Sequence, residues 1–283
     1  MEKVIDIGYC YSKEFNSRWL ESHDEVLKSV SAEFEALCNG FAIGNRSELL
    51  KKSDEMLRSA ELGLQAFEVL VGMHLEGYAI KLVFVSGENF YLRDNEKEII
   101  IYPFQILDAI SEPGKGDAQK DKEFIIDVFK NAIYAAIYIL FTKEEIDTTK
   151  LQNFFLVESV SNAVMDIISD KLGGVLAKSK SEDEQKVLRL LRTDSDGVED
   201  PLLLMSSIDS EVEKGNLDPI ISYEFVIEEG LLYGYAYFMA LYRQGWDISS
   251  IINEVTDIAC SQNPASEFVK RYKRLSAISK LNL

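Results

Sequence analysis

Val128-Phe129-Lys130-Asn131-Ala132-Ile133-Tyr134-Ala135-Ala136-Ile137 is the stretch on which the fold class turns. Its apolar residues recur at three- and four-residue spacings, and neither Gly nor Pro interrupts the chain from Lys122 to Phe141. That pattern predicts a long helix that is apolar around most of its circumference, and such a helix must be covered by other elements.

The covering elements read as helices on the C-terminal side. Helical periodicity runs from Leu151 to Leu176, Glu182 to Leu191, Tyr223 to Tyr242, Ile248 to Cys260 and Pro264 to Ser279. Ser181 with Glu184, Ser222 and Asp247 are suitable N-caps, and Asn263-Pro264 places a cap before a proline at the first helical position.

On the N-terminal side, Ser111 to Lys120 reads as a polar loop, and Pro103 opens a short helix through Ile110. Extended periodicity appears at Ala79 to Val85, Phe90 to Leu92 and Glu98 to Tyr102, with turns at Gly87-Glu88-Asn89 and Asp94-Asn95-Glu96. A strand at Val4 to Cys10 precedes two long helices. The first runs from about Ser12 to Cys38 and is ended by Gly40 and Gly44, and Asn45 with Glu48 forms a capping box for the second. The expected fold is α+β, predominantly α-helical with one small antiparallel sheet. Residues 1–283 are expected to form a single compact unit, with N-terminal helices and sheet at 1–110 and a helical remainder at 121–283.

Apolar residues make up 47% of the 283-residue chain, enough for a large core and too many for a disordered chain. A formal net charge of −18 argues against a phosphate-backbone binder, since that affinity comes mainly from Lys and Arg, and it makes a basic partner the easier one to accommodate. Much of the acid lies in one block: Asp194, Asp196, Glu199, Asp200, Asp209, Glu211, Glu213, Asp218, Glu224, Glu228 and Glu229 accompany the single Lys214. The final helix carries Lys270, Arg271, Lys273 and Arg274, which can answer that block within the fold or between subunits of a homo-oligomer. The three cysteines, Cys10, Cys38 and Cys260, include no CxxC pair and are expected to be reduced. No basic-then-apolar leader opens the sequence, and no run reaches about 18 uninterrupted apolar residues. A soluble, cytoplasmic protein is therefore expected.

Three local patterns over residues 79–170 resemble the Glu-zincin branch of the zincin metallopeptidases. These are the strand, turn, strand pattern of Ala79 to Tyr102, the apolar frame of the helix at Phe129 to Phe141, and Glu158-Ser159-Val160-Ser161-Asn162, which is similar to a Glu-x-x-Ser-Asp element. The resemblance implies a zincin-like core with Asn131-Ala132-Ile133-Tyr134-Ala135 in the place of His-Glu-x-x-His. Zinc hydrolysis needs two imidazoles one turn apart and a carboxylate to activate water. Asn131 and Ala135 stand in for the histidines, Ala132 for the general base and Asn162 for an orienting Asp, so only Glu158 keeps a ligand type. What the resemblance implies is a non-catalytic relative that holds no metal and no cofactor but keeps a peptide groove by Phe90, Tyr91, Asn131, Tyr134 and Glu158.

Other motifs are fragments. His74-Leu75-Glu76 lacks the Pro-Cys-x-x-Cys partner of a zinc deaminase, and His23 sits among Glu21, Asp24 and Glu25 on a polar helix face. Pro113-Gly114-Lys115-Gly116-Asp117 does not complete a phosphate loop, and Asp194-Ser195-Asp196-Gly197 lacks the terminal Glu of a calcium loop. No nucleophile occupies a Gly-x-Ser-x-Gly setting. Tyr233-Gly234-Tyr235, with Gly230, reads as a helix whose small positions let another helix approach closely.

The expected function is a non-catalytic protein-binding or regulatory protein, a zincin-like pseudo-peptidase with a peptide-binding groove. One alternative is an acidic decoy or inhibitor that binds a basic partner surface. A second is a carboxylate-dependent hydrolase, for which 48 acids supply pairs but no spacing selects one. The partner in the first two readings is a protein or peptide, with neither nucleic acid nor membrane expected.

Overall fold

Helices dominate the computed structural model, which describes residues 4–7, 23–44, 48–72, 75, 77–84, 90–93, 97–110, 118–148, 150–173, 231 and 234–281. The chain groups into two compact units, Met1–Ile139 with Ile168–Ala177, and Leu140–Ile167 with Lys178–Leu283. The region 182–191, the acidic block 194–229, both fragmentary loops, Cys10 and His74 lie outside the described residues, as do the side chains of His23, Phe90 and Tyr91.

In the first unit, α1 (His23–Gly40) buries Val26, Leu27, Val30, Phe34 and Cys38, a set spaced for one helical face. A 3₁₀ turn at Leu49–Lys52 leads into α2 (Ser53–Val71), so the second long helix begins later than its capping signal implies. The Glu48 carboxylate does reach back, but it accepts the Gly44 N–H at 3.1 Å. Gly72, at φ +71°, closes α2 with its N–H donated to Glu68 O. A bidentate fork from Arg58 to Glu33, at 2.6 and 2.7 Å, ties α2 to α1.

Four strands form the sheet: β1 (Val4–Ile7), β2 (Ala79–Val83), β3 (Phe90–Arg93) and β4 (Glu98–Ile101). Their order is β1-β2-β4-β3, with β1/β2 and β3/β4 antiparallel but β2/β4 parallel. This corrects the expectation of an antiparallel sheet. β4 is buried at all four positions, and the uninterrupted Ile99-Ile100-Ile101 run puts apolar side chains on both faces of the sheet, the pattern of an interior strand. It lies between β2 and β3, with Ile80 beside Ile99 and Leu82 beside Ile101 on one side and Tyr91 beside Ile100 on the other. Lys81 and Glu98 form an ion pair across the parallel strands.

α3 (Pro103–Ile110) has the anticipated bounds, and its Phe104 ring meets Phe84 edge-on at 5.4 Å. α4 (Ala118–Lys143) is the long apolar helix. By length and composition it could cross a membrane, yet 72% of its most apolar window is buried inside the protein, which marks it as a core helix. α2 and α4 approach closely. Ser59 Oγ donates to Ile125 O at 2.8 Å, and one turn on, a Cβ on Gly63 would fall 2.6 Å from Phe129 O. The Phe34 ring of α1 packs on Phe129 at 4.3 Å.

In the second unit, the turn after α4 places Glu145 at φ +58°, a conformation that usually calls for Gly. Its N–H bonds Thr142 O, and the Ile146 N–H bonds Phe141 O. α5 (Leu151–Lys171), whose last residues from Ile168 belong to the first unit, α6 (234–243), α7 (Ile248–Ala259) and α8 (Pro264–Leu281) follow. Gly245, at φ +91°, ends α6 with the same pair of bonds, from Gly245 N–H to Tyr242 O and from Trp246 N–H to Leu241 O. Of the anticipated caps, Ser181 and Ser222 lie outside the described residues and the other two are formed: Asp247 accepts the Ser250 N–H at 2.7 Å, and Asn263 accepts the Ser266 N–H at 3.0 Å ahead of Pro264. Phe155, Tyr237 and Phe268 form an aromatic core, with ring centroids 5.6 Å apart for Phe155–Phe268 and 5.2 Å for Tyr237–Phe268.

Candidate functional site

α4 carries the positions singled out in the sequence, and burial divides them sharply. Ala132 and Ala135 are wholly buried, and Asn131 is 8% exposed with its side-chain amide donated to Asp127 O of the same helix at 2.8 Å. These three residues are packing groups of the first unit. Tyr134 is different. It lies half-buried on a thin stripe with Glu123, Asp127, Lys130 and Tyr138, spaced three or four residues apart along an otherwise buried helix. Lys130 lies 3.6 Å from Asp127. Burial raises the Asp127 carboxyl above its ordinary value, while Lys130 pulls in the opposite direction.

Glu158 is half-buried on α5 and belongs to the second unit, whereas Asn131 and Tyr134 belong to the first. The Asn162 side-chain amide bonds Glu158 O at 3.0 Å, and Ser161 Oγ bonds Val157 O at 2.6 Å, so both polar groups turn back on their own helix. Phe90 and Tyr91 lie on β3, at the edge of the sheet in the order observed. Of the five groove residues, the structure describes the side chains of three.

Small-residue contact was legible at Gly234. A Cβ there would fall 2.2 Å from Ser159 Oγ and 3.1 Å from Phe155 Cζ, so α6 meets α5 through the glycine itself. Beside it, the Tyr235 hydroxyl donates to Asp166 Oδ2 at 2.5 Å.

Among the described residues of the second unit, a polar convergence on three helices escaped the sequence. The Tyr237 hydroxyl of α6 donates to Glu254 of α7, whose other oxygen accepts from Arg271 Nη1 of α8 at 2.5 Å. Arg271 Nε donates to Glu267 at 2.9 Å, and Lys270 reaches the same carboxylate at 3.1 Å. Burial, reinforced by Glu254, pushes the Tyr237 phenol far above its ordinary value and keeps it a neutral donor. Burial opposes the Arg271 charge, but Glu267 and Glu254 more than compensate and raise its pKa. Hydrogen bonds from Arg271 and then Lys270 lower the Glu267 carboxyl. Each group is engaged by another of the set, so the arrangement clamps three helices together. Residues 237, 254 and 271 are 17 apart at each step, a separation that carries no local signal.

Among the described residues, no group of three or more His, Cys, Asp or Glu side chains converges to hold a metal ion. Cys38 is buried, which pushes its thiol up to about 11 and leaves it unreactive, while Cys260 is exposed at the end of α7. No family model, curated protein or solved structure matches the chain.

Proposed function

We propose that this chain is a non-catalytic protein-binding or regulatory protein that presents the Tyr134 stripe of α4 to a polypeptide partner. The observation that carries the reading is the contrast on that one helix. Asn131, Ala132 and Ala135 are committed to packing, while Tyr134 and Tyr138 stand half-exposed beyond the charged Glu123, Asp127 and Lys130. Tyrosine suits such a surface because its ring offers contact area with few rotatable bonds and its hydroxyl adds a directional polar contact. The proposal rests on α4 itself and not on a zincin origin. Tyr134→Ala, with the fold checked by circular dichroism, should lower the recovery of a captured partner at least tenfold relative to the unaltered chain. Equal recovery would remove the stripe from consideration.

A second reading, an acidic decoy or inhibitor for a basic surface, draws support from α8. Arg271 and Lys270 are engaged by Glu267 and Glu254, so these cations find acidic partners within α7 and α8, and the chain as a whole carries a net −18. Binding of this kind weakens steeply with salt, because exposed charges are screened over about 8 Å at physiological ionic strength. Affinity for a polylysine probe should fall at least tenfold between 50 and 300 mM salt by about the arithmetic of counterion release. A flat titration would eliminate the acidic reading and leave the Tyr134 surface standing.

A further inference from the structure

We draw no further inference here: the strongest candidate, the exposed indole of Trp246 at the turn that ends α6, is a single aromatic side chain on the surface, and nothing in the structure shows what covers it.

Discussion

Asp247 shows how much one residue can organise. Its carboxylate caps α7 by accepting the Ser250 N–H, and that hydrogen bond is the main reason its pKa lies below the ordinary value. A carboxyl depressed in the folded state stabilises it fully above the unfolded pKa and loses that contribution as pH falls through the folded value. Asp247→Ala should therefore cost about 1 kcal/mol near neutral pH, the usual worth of an N-cap. Asp247→Asn keeps an acceptor but does not titrate, so it should retain most of the stability at neutral pH and lose less of it on acidification. Urea midpoints at pH 7 and pH 3 measure both effects, and a parent and Asn variant with the same acid dependence would assign that dependence to other carboxyls.

At the scale of elements, helix contact here depends on missing side chains. Gly63 brings α2 onto the backbone of α4, and Gly234 brings α6 onto Ser159 of α5. The buried Ser159 hydroxyl has no hydrogen-bond partner among the described residues. Gly234→Ala places a methyl group 2.5 Å from Ser159 Cβ as well as on its Oγ. It should destabilise by about 1–3 kcal/mol, the range for overpacking. Ser159→Gly should recover part of that loss because it removes both clashing atoms, whereas Ser159→Ala should not, because its Cβ remains. Denaturant unfolding of the four variants forms a double-mutant cycle, and strictly additive effects of Gly234→Ala and Ser159→Gly would show that the two residues do not meet. Ser159→Ala alone should be nearly neutral, because it deletes a buried group that makes no compensating bond.

For the whole molecule, charge is the governing quantity. A net charge of −18 over 283 residues makes the compact state repel itself, since folding brings like charges closer than the unfolded chain does. Raising sodium chloride from about 10 to about 150 mM shortens the screening length from about 30 to about 8 Å. The thermal midpoint should rise by several degrees over that range; a midpoint that falls would show that pairs such as Arg58–Glu33 and Arg271–Glu254 outweigh the repulsion.

What could be read directly from residues was whatever depends on near neighbours in the chain. The bounds of α3, the start of α8 at Pro264, the Asp247 and Asn263 caps and the apolar character of α4 all follow from periodicity and end signals a few residues apart. The close approach at Gly234 was legible for the same reason, because a glycine inside a helical pattern leaves room for a neighbour. Strand pairing was not, although Ile99-Ile100-Ile101 held a clue: a run without alternation is the pattern of an interior strand, and a meander would have left β4 at an edge. Within the groove set, burial separated Asn131 from Tyr134, because which side of an all-apolar helix meets the core is decided by the elements packed around it. The Tyr237, Glu254 and Arg271 clamp likewise joins groups on three helices, and only folding brings them together. Local chemistry thus determined the elements and several of their ends. Strand order, the division of α4 into packed and half-exposed positions and the polar clamp came from the tertiary structure, because each is a contact between residues that the chain itself keeps far apart.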